Sequence, residues 1–314
     1  MRMSFLSIPI LAFGIGLSAQ AQEAIAPSQL TIFSGPQGGS WYAMGGGMAQ
    51  LFSEAGARSN AEVGAGISNV VVVDQGRGEL GFTMSIVPDM AAKGQPPFQQ
   101  KITGIYGLAN LGDNYVQLLV REDTDIKDVS GLKGQVYGSQ PVGSVTAVAL
   151  EAVLSAYGLK EGDVEIVRGS QTYGANETKD RRIAGYTATS NPPTPSFVEV
   201  SETIDSTFLP ISEAAFEQLK AGNSGFVRNE IPAGTYKGQD EPVPTASTAL
   251  ILMSGKQVSD DEAYWIVKTL NENIEKLRNM HSGMRELTVG DMAQVVGIEL
   301  HPGARRYYEE VGAL

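Results

Sequence analysis

The sequence predicts an α/β fold, and three observations carry that expectation. Short β-rich runs alternate with helical patterns over the first two thirds of the chain. Glycine turns separate several of them, and the late chain is mostly helical. Strands spaced by helices of this length imply parallel sheets covered on both faces.

The elements follow in order. Leu30 to Phe33 is a short strand, and the turn Ser34 to Ser40 leads into a helical pattern from Trp41 to about Glu54. The run Gly45-Gly46-Gly47 falls inside that helix and is expected to serve close packing. A helix at Ile67 to Gln75 precedes a strand at Leu80 to Met84. Val116 to Val120 and Gly134 to Gly138 are strands, and Val145 to Tyr157 is a helix stopped by Gly158. Val164 to Val167 and Ile183 to Thr187 continue the alternation. Pro192 to Pro195 and Ile231 to Gly234 read as stiff turns. Ser259 with Glu262 forms a capping box. Behind it Ile266, Val267, Leu270, Ile274 and Leu277 make one apolar stripe down a helix.

The first residues read as an export signal. Arg2 is a positive n-region, Phe5 to Leu17 is apolar, and Ala19 and Ala21 give the A-x-A spacing of a cleavage site after Ala21. The apolar run of about 13 residues is shorter than the roughly 20 that span a bilayer. An exported protein with residues 1–21 removed is therefore expected.

Composition excludes some partners. With 23 Lys+Arg against 35 Asp+Glu the chain carries a formal charge of −12. Such a surface repels nucleic-acid backbones and anionic lipid, and no basic run offsets it. The chain has no cysteine, which removes disulfides and thiolate metal sites. Only two histidines exist, His281 and His301. The turn Gly35 to Ser40 lacks both the Gly-Lys-Ser/Thr of a phosphate loop and the G-x-G-x-x-G of a dinucleotide site. No catalytic constellation, metal site or cofactor is read, and the chain is expected not to be an enzyme.

A loop of glycine and hydroxyls opening a helix recurs instead. It occurs at Gly39-Ser40-Trp41-Tyr42, at Gly66-Ile67-Ser68-Asn69 and at Gly143-Ser144-Val145-Thr146. Each offers free backbone N–H groups at a helix N-terminus, where the dipole favours an anion. Each alone would also serve as an ordinary cap. Arg121 and Arg168 could clamp a carboxylate, although lone arginines after strands are more often surface charges.

These stretches carry a resemblance. Gly38 to Tyr42 with Met44-Gly45-Gly46, Gly66 to Asn69, Gly76 to Gly81 and Ile126 to Gly134 resemble the TAXI-type solute receptors of TRAP (tripartite ATP-independent periplasmic) transporters. So do Gly143-Ser144, the helix end Ala156 to Leu159, Ile231 to Gln239, and the tail His301 to Gly312. The resemblance implies a two-lobed periplasmic binding protein fold, each lobe a mainly parallel sheet flanked by helices, with a ligand cleft between them. Lobe one would hold residues 22–115 plus 246–314, and lobe two 116–245. Known members bind glutamate, glutamine or small dicarboxylates, so a small carboxylate handed to TRAP membrane permease subunits, fused to one another, is implied. The receptor is expected to be a monomer.

Carried over by that likeness, the ligand-binding residues are Ser40, Trp41, Tyr42, Ser68, Asn69 and Ser85 from lobe one. Lobe two would add Tyr137, Gly143, Ser144, Val145, Thr146, Ser190, Asn191 and Pro192. Backbone N–H groups and hydroxyls would hold the carboxylate, Trp41 and Tyr42 would form apolar walls, and Asn69 would be an orienting amide. The chain departs from the family pattern at Met84-Ser85-Ile86, at Arg182-Ile183-Ala184 and in the loop Ser139 to Val145. Apolar residues replace polar ones there, which implies either a ligand with more hydrocarbon or positions that only pack. The tail is read as a structural segment docking on the lobes.

Overall fold

The computed structural model describes residues 25–35, 40–160 and 162–314. The expected leader, residues 1–21, lies outside them, as do Gly38 and Gly39 of the first glycine loop.

Three strand–helix units open the described chain: β1 (Gln29–Phe33) with α1 (Ser40–Glu54), β2 (Arg58–Glu62) with α2 (Gly66–Asp74), and β3 (Leu80–Met84) with α3 (Ile86–Lys93). The long strand β4 (Ile105–Arg121) follows. Three more units repeat the plan: β5 (Val136–Ser139) with α4 (Val145–Ala156), β6 (Glu165–Arg168) with α5 (Gln171–Lys179), and β7 (Gly185–Ser190) with α6 (Pro195–Thr203). Then come β8 (Ser206–Phe208), α7 (Glu213–Gly222), β9 (Phe226–Ile231) and a second long strand, β10 (Val243–Gly255). The chain ends in α8 (Asp260–Glu272), α9 (Ile274–Arg278), α10 (Val289–Ala293) and α11 (Pro302–Glu310).

The strands lie in the order β2-β1-β3-β10-β4-β7-β5-β6. The outer trios pair in parallel, β1 with β2 and β3, and β5 with β6 and β7. The centre is antiparallel, because β10 runs against both β3 and β4, and β4 runs against β7. Mainly parallel sheets were expected and the outer trios are parallel; the two long crossing strands are what make the sheet mixed. The first half of β4 pairs with β10, and from Tyr115 onward its partner is β7. One strand thus belongs to two halves of a single mixed sheet.

Three apolar clusters fill it. One lies between the first half-sheet and α1, α8 and α11, with Phe52, Phe82, Ile266 and Tyr308 at its centre. A second lies under α5 and α6 around Tyr186 and Phe197. The third is continuous across both halves on the opposite face, joining α2 and α3 to α4 and α7. Polar contacts close that seam: the Asn223 amide donates to the Ile86 carbonyl at 2.9 Å, and Ser224 to Asp89 at 2.6 Å.

Within α1 the glycines pack as expected. A Cβ on Gly45 would sit 2.5 Å from the Ser34 Cβ, and one on Gly47 would meet the Met280 sulfur at 3.1 Å. The capping box at Ser259 and Glu262 forms as expected. The helix behind it does not run through to Leu277, because the chain breaks at Asn273, whose amide turns back to the Thr269 carbonyl at 2.9 Å.

The C-terminal tail docks on the first half-sheet. His301 Nδ1 accepts from the Gly303 N–H at 3.2 Å, which fixes the neutral tautomer, and Nε2 donates to the Val258 carbonyl at 3.1 Å. A Cβ on Gly303 would land on the Asp260 carbonyl oxygen. The Tyr308 hydroxyl donates to the Leu108 carbonyl at 2.9 Å.

Candidate functional site

The register turns the strand ends of the two halves toward one another. β3 runs the same way as β4 and ends near its middle, with Met84 opposite Leu250 of β10. β7 runs the other way and ends at Ser190 opposite Tyr115 of β4. The carboxyl ends of the two parallel trios therefore face one another across Gly112 to Tyr115, and each end leads into a helix. Ligands in α/β sheets bind at such strand ends. The six N-termini, α1 to α3 from one side and α4 to α6 from the other, all carry positive dipole ends.

On the first side, α2 is the most open. Its N-cap residue Ala65 is extended and no side chain caps it, so the first amides are free of side-chain partners. Trp41 stands beside this start: its ring packs edge-on against Phe82 at 6.2 Å, and a Cβ on Gly66 would lie 3.6 Å from it. Ser40 is exposed at the head of α1, and Tyr42 is half-buried one residue beyond Trp41. Ser68 is exposed and its hydroxyl donates back to the Ala65 carbonyl at 3.0 Å.

Three sequence-read residues are committed elsewhere. Asn69 is fully buried; its Nδ2 reaches the carbonyls of Phe33, Ser34 and Phe82 at 2.8–2.9 Å, and its Oδ1 accepts from the Ala65 N–H at 3.0 Å. It clamps the strand ends and is not an orienting amide for ligand. Ser85 is fully buried, donating to the Gly225 carbonyl at 2.6 Å and accepting from the Ala249 N–H at 2.9 Å. Tyr137 is also fully buried, with its hydroxyl on the Leu119 carbonyl at 3.2 Å. Burial of the ends of the two half-sheets required those polar groups, and their chemistry is already spent. The apolar departures Met84, Ile86, Ile183 and Ala184 are buried too, so they pack and do not line the cleft.

On the second side, Gly143 is exposed and Ser144 caps α4, accepting from the Ala147 N–H at 3.1 Å. Val145 is half-buried, and buried Thr146 accepts from the Thr189 N–H at 3.1 Å. Ser190 Oγ lies 2.7 Å from Thr194 Oγ1, Asn191 donates to the Asp113 carbonyl at 3.3 Å, and Pro192 is half-buried. Sequence reading missed Ser139 and Thr189. Ser139 ends β5 and Thr189 is next to last in β7; they are 6 and 7 % exposed, and their hydroxyls are two of eight buried side-chain polar atoms without a partner among the described residues. A buried hydroxyl without a partner is rare and costly. The hydroxyl-rich run Thr187-Ala188-Thr189-Ser190 was the signal that could have found the second of them.

Charge at the junctions is sparse. In the stretches 40–42, 62–68, 84–87, 139–147, 168–173 and 190–196 the one cation is Arg168. It is held by Glu151 at 3.1 Å and the Gln140 carbonyl at 3.3 Å. Arg121 is likewise bound, to Asp123 at 2.8 Å. At the crossing, burial raises the Asp113 carboxyl above the usual range, with Asp291 adding to it, while Asn229 donates to it at 3.1 Å. Among the described residues no group of three or more His, Asp or Glu could hold a metal, and no helix is long and apolar enough to cross a membrane.

A model of the NMT1-like family matches residues 32–312 of this chain. Solved structures share the architecture. The periplasmic aliphatic sulphonate binding protein SsuA from Escherichia coli is 18% identical, with 90% of this chain and 79% of that one covered at a TM-score of 0.50. A periplasmic sulfonate-binding protein SsuA of a sulfonate ABC transporter, from Methylobacillus flagellatus KT, is 14% identical, with 91% and 78% covered at 0.52. A Xanthomonas citri protein bound to ATP is 14% identical, with 91% and 96% covered at 0.54. At these identities the likeness is one of fold, and the fold is that of periplasmic binding proteins.

Proposed function

The chain belongs to the NMT1-like family, and from that premise we propose that it is a periplasmic solute receptor of the TAXI type, serving a TRAP permease. It captures a small carboxylate, whether dicarboxylate, 2-oxo acid or amino acid, in the cleft between residues 22–115 plus 246–314 and residues 116–245. The change of partner of β4 at Tyr115 supports that division. The export signal read in residues 1–21 supports the compartment.

One observation carries the anion reading: α2, α4 and α6 start where parallel strands of the two halves end, and the buried hydroxyls of Ser139 and Thr189 at the strand ends have no partner. Backbone dipoles and hydroxyls of this kind bind carboxylates without a full positive charge. The proposed contacts are the free amides of α2, Ser40, Trp41, Tyr42 and Ser68 on one side. On the other they are Gly143 to Thr146, Ser190, Asn191 and Pro192, joined by Ser139 and Thr189. A thermal-shift screen of carboxylates tests it, followed by calorimetry. Ser144→Ala should weaken the ligand found, and unchanged affinity would remove the α4 helix end from the site.

A second reading is favoured by the likeness to SsuA of a sulfonate ABC transporter: a receptor of the same fold feeding an ATP-driven permease. Uptake in membrane vesicles separates the two. A TRAP partner needs an ion gradient and no ATP, and an ABC partner needs ATP.

A further inference from the structure

The run Ile231 to Gln239 folds into a turn that ties itself shut. The Gly234 N–H bonds the Gln239 carbonyl at 2.7 Å, and Gln239 Nε2 reaches the carbonyls of Ile231, Pro232 and Glu241 at 2.8–3.3 Å. The turn carries Tyr236 inward, where it is buried and its ring stacks on Phe208 with centroids 4.6 Å apart. Its hydroxyl donates to Oε1 of fully buried Gln117 in β4 and accepts from the Thr194 N–H at 2.8 Å. Burial pushes the Tyr236 hydroxyl up, so it remains a donor at neutral pH.

That one donation sets the polarity of the groups beyond it. With Oε1 taken as the acceptor, Gln117 turns Nε2 toward the end of β7. It lies 3.0 Å from the Ser190 carbonyl, 2.9 Å from Thr194 Oγ1 and 3.2 Å from Ser190 Oγ. The amide nitrogen has two protons, and the two shorter contacts take them. Thr194 stands at the N-cap of α6 and is buried, yet its side chain makes no cap. Having accepted from Gln117, its hydroxyl gives its own proton to Ser190 Oγ at 2.7 Å. The reverse direction would strand a buried Thr194 proton, which is costly. The half-buried Ser190 hydroxyl at the end of β7 is then left with a proton that the network does not use.

We infer that Tyr236, Gln117 and Thr194 are positioning residues: they form a one-way hydrogen-bond relay that turns the Ser190 hydroxyl outward as a donor, so that the start of α6 requires an acceptor oxygen on the ligand. The inference rests on the receptor reading above and assigns the polarity of one of its contacts. Hydrogen bonds in a chain polarise one another, which makes a hydroxyl at the end of a buried relay a stronger donor than a lone one.

Calorimetry on the full protein tests this with glutarate, 2-oxoglutarate and glutamate, one probe for each carboxylate class, and the tightest is carried into the variants. Ser190→Ala should weaken it about tenfold, the loss of one hydrogen bond to a charged acceptor. Tyr236→Phe keeps the stacked ring and removes the first donor, and should weaken it about threefold or more. Thr194→Val cuts the relay next to Ser190 and should do the same, while Thr194→Ser, which keeps the hydroxyl, should restore binding. In the Ser190→Ala background neither Tyr236→Phe nor Thr194→Val should cause further loss, a coupling that a merely structural role would not produce. Circular dichroism checks that each variant is folded, and the Thr194→Val cycle serves if Tyr236→Phe is not. Losses that multiply in the double variants, or an affinity unchanged by Ser190→Ala, would overturn the inference and leave the receptor reading standing. Failure of all the probes to bind would overturn both.

Discussion

Asn69 shows how one polar residue can be read in two ways. Its place after Gly66-Ile67-Ser68 marked it for ligand, yet its amide satisfies three carbonyls at the ends of two strands. Ser85 and Tyr137 were misjudged for the same reason, since a sequence does not say whether a polar group faces the cleft or the backbone beneath it. Ser144 and Thr146 were legible because a hydroxyl after glycine before an apolar run marks a helix start whichever way it points. Asn69→Ala should cost about 2–4 kcal/mol through carbonyls left without donors, measured by chemical denaturation. Gly303→Ala should cost about 1–3 kcal/mol or more, because its methyl meets the Asp260 main chain.

Histidine titration also belongs at this scale. Burial pushes His301 below the ordinary histidine range, and His281 shifts the same way for the same reason. The unfolded chain takes up these protons near pH ~6.5, and the folded protein only at lower pH. The stability they contribute is therefore complete above about pH 6.5 and is lost as pH falls below it. Unfolding midpoints measured from about pH 8 to 5 should decline through that window, and His301→Gln should flatten the decline. A wild-type profile that is flat there would refute the assignment.

At the scale of elements, the early strand–helix units were legible and the crossing strands were not. Leu80 to Met84 and Val145 to Tyr157 were close to β3 and α4 as formed. β4 is 17 residues long, and only Val116 to Val120 was read, because Gly112-Asp113-Asn114 looks like a loop. Asp113 is tolerated in the strand because it sits at the crossing, where Asn229 donates to its carboxylate and Asn191 to its carbonyl. β10 went unread, although its buried run Ala246 to Gly255 is as apolar as any strand in the chain. The seam between α3 and α7 had no local signature at all. Asn223→Ala should leave the Ile86 carbonyl and the Gly225 N–H unsatisfied and cost about 1–3 kcal/mol in urea unfolding.

The whole molecule is acidic, and that bears on how an anion reaches it. With a formal charge of −12 the long-range field opposes the approach of a carboxylate, while the helix ends attract it only at close range. Added salt screens the first effect more than the second. The association rate for an anionic ligand should therefore rise with ionic strength, followed by stopped-flow fluorescence of Trp41 beside the α2 start. A rate that falls with salt would show a local positive funnel that the junction residues do not supply. At a ligand concentration of 100 times the dissociation constant the protein should gain about 2.7 kcal/mol of stability.

The docked tail has a consequence for how the chain is made. Leu300 bridges to Gly107 and Tyr308 bonds the Leu108 carbonyl, so the start of β4 is completed by residues synthesised last. β3 likewise waits for β10, since Met84 and Leu250 are cross-strand partners. The half-sheet of β5 to β7 needs only neighbours close in sequence and can assemble before the tail docks. A chain cut before Leu300 loses both contacts and leaves the start of β4 open on that side.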